Sequence, residues 1–124
     1  MTPTRPSITL SGRANVMSLI LRSMIEQHYE NAPLPPRLSI GLDIDGQKLS
    51  VQSEGGAILI QPGTLAAARA VFSGSLEHFL EALVRGTIVR SYLAGKLDFR
   101  GNPLEALKSY LWLRRVCASL KKTA

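Results

Sequence analysis

The stretch from residue 67 to residue 111 constrains this chain more than any other. Ala68, Ala70 and Phe72 fall on one face of its first segment and Arg69 and Val71 on the other, which is the period of a strand, although an alanine run favours helix. Ser75 then stands where an N-cap belongs, with Glu77 in the positive first turn. Leu76, Phe79, Leu80, Leu83 and Val84 follow at helical spacing until Gly86 supplies a left-handed stop. Ile88, Val89, Tyr92 and Leu93 form a short apolar segment, helical or irregular. Lys96 to Arg100 alternates again and places Leu97 and Phe99 inward, and Asn102 caps a helix whose first residue is Pro103, pre-set for that position. The order is strand, helix, apolar link, strand, helix.

The closing helix carries two apolar stripes. Leu104, Leu107 and Leu111 lie on one side, while Leu113, Val116, Cys117 and Leu120 lie roughly opposite at a helical advance of about 100° per residue. One flat surface does not take both, so the spacing predicts a bend near Trp112 or a second half that covers a cavity mouth or a second subunit. Arg114, Arg115, Lys121 and Lys122 in that half suit an anionic bilayer surface and equally suit the negative end of the helix dipole.

Upstream, Val16, Met17, Ile20, Leu21, Met24, Ile25 and His28 recur at helical spacing between Arg13 and about Glu30, with Asn15, Ser18, Arg22 and Glu26 opposite. Three prolines between Asn31 and Pro36 stop that helix. Leu38, Ile40, Leu42 and Ile44 then alternate with polar residues, Asp45 and Gly46 signal a hairpin, and Leu49 and Val51 return. A second turn at Glu54, Gly55 and Gly56 leads to Ala57 through Gln61, so the middle of the chain reads as a three-stranded meander.

A chain of 124 residues holds one domain, read as residues 13–124 behind an extended segment 1–12. Fifteen Lys and Arg against nine Asp and Glu leave a formal charge of +6, which draws anionic partners, phospholipid headgroups or nucleic acid. The single Cys117 excludes an intramolecular disulfide or a cysteine-built zinc site and fits a reducing compartment. The opening residues lack a secretion signal, and no apolar run reaches the roughly twenty residues of a membrane span, so the expected location is the cytoplasm.

The helix of Phe79 and Leu80, Gly86, the apolar link, Gly95-Lys96-Leu97, the alternating strand, Gly101-Asn102 and the leucine-rich helix together resemble the sterol carrier protein 2 family over about residues 13 to 112. The resemblance implies an α+β fold: a five-stranded, mainly antiparallel sheet covered on one face by helices, with an apolar tunnel for a sterol, fatty acyl or isoprenoid lipid. Phe72, Phe79, Leu83, Ile88, Tyr92, Leu93, Phe99, Leu107 and Leu111 are the candidate walls, with Tyr92 as polar anchor; each taken singly is also an ordinary core residue. The link between Gly86 and Gly95 is shorter than in the carrier proteins. The ending Lys122-Thr123-Ala124 differs from the peroxisomal tripeptide, so the resemblance points to a bacterial stand-alone member. Some bacterial relatives serve ubiquinone synthesis by holding polyprenylated intermediates, a second expectation.

No catalytic set competes with that reading. His28 and His78 lack ligand-like neighbours, and Asp43, Asp45 and Gly46 are better taken as turn chemistry than as a calcium loop. No serine occupies a nucleophile elbow, and Cys117 lacks the helix N-terminus that activates a thiol. The expectation is a non-catalytic protein without metal or cofactor. Nucleic acid is disfavoured because the basic residues are scattered and aromatics make up only 6% of the chain. A dimer through Leu113, Val116 and Leu120 is the third reading.

Overall fold

The computed structural model describes residues 7–29, 35–66 and 68–123, with side chains in the last helix as far as Ala118. The proline-rich stop after the first helix lies largely outside the described residues, at 30–34. So do the side chains of Leu120, Lys121 and Lys122.

The alternation between Leu38 and Pro62 builds the centre of a sheet. β2 (Leu38–Ile44), β3 (Gln47–Glu54) and β4 (Ala57–Pro62) pair antiparallel, with Leu38 opposite Ser53 and Ser53 opposite Ile58. The first hairpin turns through Asp45 and Gly46 at φ 53° and 79°, the mirror-image turn whose twist matches that of its strands. Leu38, Ile40, Leu42, Ile44, Leu49 and Val51 all point to one buried face, as their period requires.

Among the described residues six strands, one more than expected, form the sheet in the order β1-β4-β3-β2-β5-β6. The additional strand is β1 (Ser7–Leu10), which pairs parallel with β4. Four residues carry too little alternation to stand out in a polar segment. They form a strand because β4 offers an unpaired edge, and Ile8 and Leu10 pack against the core from there.

β5 (Ala70–Gly74) lies parallel beside β2, with β3 and β2 between it and β4, and β6 (Leu97–Gly101) pairs antiparallel with it at the edge. The connection from β4 to β5 therefore crosses the sheet, on the face away from the helices. Gly41 of β2 makes room there: a Cβ would stand 2.9 Å from Leu65 Cδ2 and 3.0 Å from Ala68 Cβ. Val71, read as an outward residue, is buried beneath the same crossing. Ala68 belongs to the crossing and the strand begins at Ala70, which resolves the conflict between alanine propensity and alternation.

Among the described residues the helices are α1 (Val16–His28), α2 (Leu76–Arg85), α3 (Ile88–Leu93) and α4 (Pro103–Thr123). Ser75 Oγ caps α2 at the His78 N–H, and Gly86 ends it in the left-handed conformation. In α1 the expected polar side contains the cap itself. Asn15 Oδ1 accepts from the Ser18 N–H and Ser18 Oγ accepts from the Asn15 N–H, so Ser18 is buried while Val16 and Ile20 face outward.

In α4 a single inward face runs from Ala106 through Ser109, Tyr110, Leu113 and Val116 to Cys117. The predicted division of the helix into two packing halves does not occur; Leu104, Leu107 and Leu111 are the outward stripe, exposed by 78%, 54% and 45%. Leu113 and Val116 are buried within the chain's own core, which removes them from the dimer surface assigned to them. Trp112 Nε1 donates to Tyr29 Oη at 2.6 Å and ties α4 to the end of α1.

Candidate apolar cleft

The local sequence around β6 positions a site. Gly101 ends the strand at φ 102°, where a Cβ would collide with the Arg69 carbonyl oxygen, and the next N–H, of Asn102, donates to that oxygen at 3.0 Å. Only glycine passes there. Asn102 Oδ1 then accepts from the N–H groups of Leu104 and Glu105 at 2.9 and 3.1 Å, so α4 starts at a defined point directly after the edge strand. On the other side, α3 is closed by the Ala94 N–H bonding to the Arg90 carbonyl and the Lys96 N–H to that of Ser91, which returns the chain into β6.

These constraints leave a cleft of about 290 Å³ between α3, β6 and α4. Ile88, Val89, Tyr92 and Leu93 of α3 form one wall. Pro103, Ala106, Leu107 and Tyr110 of α4 form the other, and Phe72 and Phe99 lie between them. Phe72 is buried and its ring centre lies 6.4 Å from those of both Phe79 and Phe99; Tyr92 meets Phe99 edge-on at 5.5 Å. The Tyr110 hydroxyl donates to the Ala82 carbonyl at 2.7 Å, so its polar end is satisfied elsewhere. Burial pushes that phenol's pKa up, against the opposing effect of the Arg114 charge.

None of the ten lining residues is charged. Two larger depressions among the described residues differ in this respect. One of about 530 Å³ between α2 and α4 includes Arg114 and Arg115, and one of about 720 Å³ at an end of the sheet includes Arg37, Arg69, Lys108, Glu54 and Glu105. An apolar ligand filling either would take ionised groups away from water, at a cost that the smaller cleft does not impose.

Six of the nine candidate wall residues line the cleft: Phe72, Ile88, Tyr92, Leu93, Phe99 and Leu107. The other three stand elsewhere. Phe79 lies behind Phe72 in the core, and Leu83 and Leu111 line the depression that holds the two arginines. Val89, Pro103, Ala106 and Tyr110 also line the cleft and are not among the candidate walls, although Val89 belongs to the apolar link and Pro103 to the helix start. The stripe Ala106, Tyr110, Leu113, Cys117 stands at helical spacing, but the leucines overshadow it.

The basic residues assigned to a membrane surface divide. Arg114 Nε donates to the Leu83 carbonyl at 3.3 Å, and its guanidinium covers Gly86, so this cation serves the carbonyl end of α2. Arg115 is exposed and bonds to the Leu111 carbonyl at 3.4 Å. Beside it, burial first and the Arg115 charge second lower the pKa of His28. Among the described residues no three of His, Cys, Asp and Glu converge on a possible metal position, and no helix is long and apolar enough to cross a membrane.

No protein-family profile and no curated protein matches the sequence. Solved structures do match the fold. A protein titled "UbiJ-SCP2 Ubiquinone synthesis protein" superposes with a TM-score of 0.64 at 10% identity, over 90% of this chain and 100% of that one. Sterol carrier protein 2-like 2 from Aedes aegypti gives 0.44 at 17% identity, over 76% of this chain and 94% of that one. The fold is sterol carrier protein 2-like, as the Gly95 to Asn102 pattern indicates. The interior between the sheet and helices α1 and α4 is occupied by core side chains, and the apolar space stands beside it as an open cleft.

Proposed function

We propose that this sterol carrier protein 2-like chain is a non-catalytic binder and carrier of a hydrophobic lipid, held by its apolar part in the cleft between α3 and α4. The observation that carries the proposal is a surface-open cleft of ten lining residues without a charge. Affinity then comes from removing apolar ligand surface from water, at about 25 cal/mol per Å². At about 290 Å³ the cleft is at the small end of ligand sites, which run from roughly 300 to 1,000 Å³. It takes one apolar chain and leaves the remainder of a longer lipid outside. A cytoplasmic carrier exchanging its ligand with membranes suits the lone buried thiol, Cys117.

The ligand class is sterol, fatty acyl or isoprenoid. The isoprenoid alternative, a role in holding polyprenylated ubiquinone precursors, takes its support from the printed title of the structure that superposes over 90% of this chain. Native mass spectrometry of the purified protein, beside organic extraction of what accompanies it, tests both. A stoichiometric apolar mass is expected, and its value names the class. A bare protein mass that persists after addition of fatty acids, sterols and isoprenoid quinones would refute lipid carriage.

A further inference from the structure

The outward arc of α4 has an unusual composition. Leu104, Leu107 and Leu111 succeed one another along it, with Arg115 beyond them; Lys108 stands between them in sequence, but its ammonium turns to Glu105. α3 adds Val89 and Leu93, exposed by 68% and 81%, and Arg90. Single exposed leucines are ordinary on a protein surface, but a continuous apolar strip on two neighbouring helices marks a contact surface. The strip is continuous because α3 and α4 flank the same cleft, and Val89, Leu93 and Leu107 belong to both cleft and strip.

Charge decides what covers it. The only carboxylate of α4, Glu105, is buried on the other side of the helix, where it accepts from the Ser39 N–H at 3.2 Å and lies 3.4 Å from Lys108 Nζ. α3 has none. A second copy related by a two-fold axis would bring these cations against their own kind, which is unfavourable. Asp98 of β6 is the carboxylate at the edge of the cleft, and Arg90 and Arg115 on the two helices outnumber it, so the face is apolar with a net positive rim. Such a face is complementary to a bilayer of anionic phospholipids, where the leucines enter the acyl boundary and the cations meet phosphates.

We infer that the α3–α4 face is the surface by which this protein docks on an anionic membrane, with the cleft mouth turned into the bilayer. The inference rests on the lipid-binding reading of the cleft and adds the route by which a ligand enters without crossing water. It predicts that vesicle binding and ligand occupancy are separable. Leu104 lies outside the cleft and Leu111 lines only the neighbouring depression, so L104D/L111D changes the docking face alone.

The test is flotation with vesicles of phosphatidylcholine, with and without phosphatidylglycerol, at low and high salt. The protein as it stands should float with the anionic vesicles and far less with the neutral ones. L104D/L111D should lose binding by more than about tenfold. R90E should lose about tenfold, an effect that salt erases. Circular dichroism should show both variants folded, and native mass spectrometry should find their cleft occupied as before. Failure of the unmodified protein to float with anionic vesicles would overturn the inference, as would undiminished binding by folded L104D/L111D. A dimer that becomes monomeric in L104D/L111D would assign the face to a second copy and overturn it too. An empty cleft in a protein that still floats would count against the carrier reading and leave the docking face standing.

Discussion

Tyr29 shows how one side chain joins distant parts of the chain. Its hydroxyl receives the buried Trp112 N–H, and burial pushes its pKa up, with the Trp112 hydrogen bond and the Arg115 charge working against that. Tyr29→Phe leaves the indole N–H buried without a partner and should cost roughly 1–3 kcal/mol in urea unfolding. No period in the sequence announces such a pair, because the two residues are 83 positions apart. His28, one residue earlier, gives a prediction in pH. Its folded pKa is lowered from the usual 6.5, so in moderate acid the unfolded chain binds the proton more readily. The stability it contributes is therefore full above pH 6.5 and is lost as pH falls towards the lowered folded value. His28→Gln should flatten that part of a pH series of urea midpoints.

Elements with their own start and stop signals are legible in the amino-acid sequence. Ser75 and Gly86 bound α2, and Asn102 with Pro103 starts α4, as their chemistry requires. Asn102→Ala should therefore cost about 1 kcal/mol, read by urea unfolding as a lowered midpoint with an unchanged slope. The side of α4 that faces inward is not legible in the same way. Leucine weight favours the Leu104, Leu107, Leu111 stripe, whereas the sheet accepts the smaller Ala106 and Ser109 together with Tyr110 and Leu113. Small residues let a helix approach closely, and hydropathy ranks them low. β1 is hidden for the opposite reason, since its partner strand, and not its own four residues, makes it a strand.

At the scale of the whole molecule, the order of elements from α1 onward is written in the sequence, and with it the sterol carrier protein 2-like fold that the solved structure matches at a TM-score of 0.64. The crossing from β4 to β5 over Gly41 is not, because it depends on contacts between separate strands. Gly41→Val, which forces Leu65 and Ala68 off the sheet, should destabilise the fold by roughly 1–3 kcal/mol in the same urea assay. The candidate site is legible in its aromatic residues and not in its shape. Alternation alone finds Phe72 and Phe99, while the cleft exists because Gly101 and Asn102 start α4 beside β6. The central claim is that a lipid lies between α3 and α4, and photocrosslinking tests it most directly. A diazirine-bearing fatty acid should label peptides spanning Ile88–Leu93 and residues 103–110, in competition with unlabelled lipid. Labelling confined to the sheet end around Gln52 and Leu59, or labelling that excess lipid does not suppress, would contradict it.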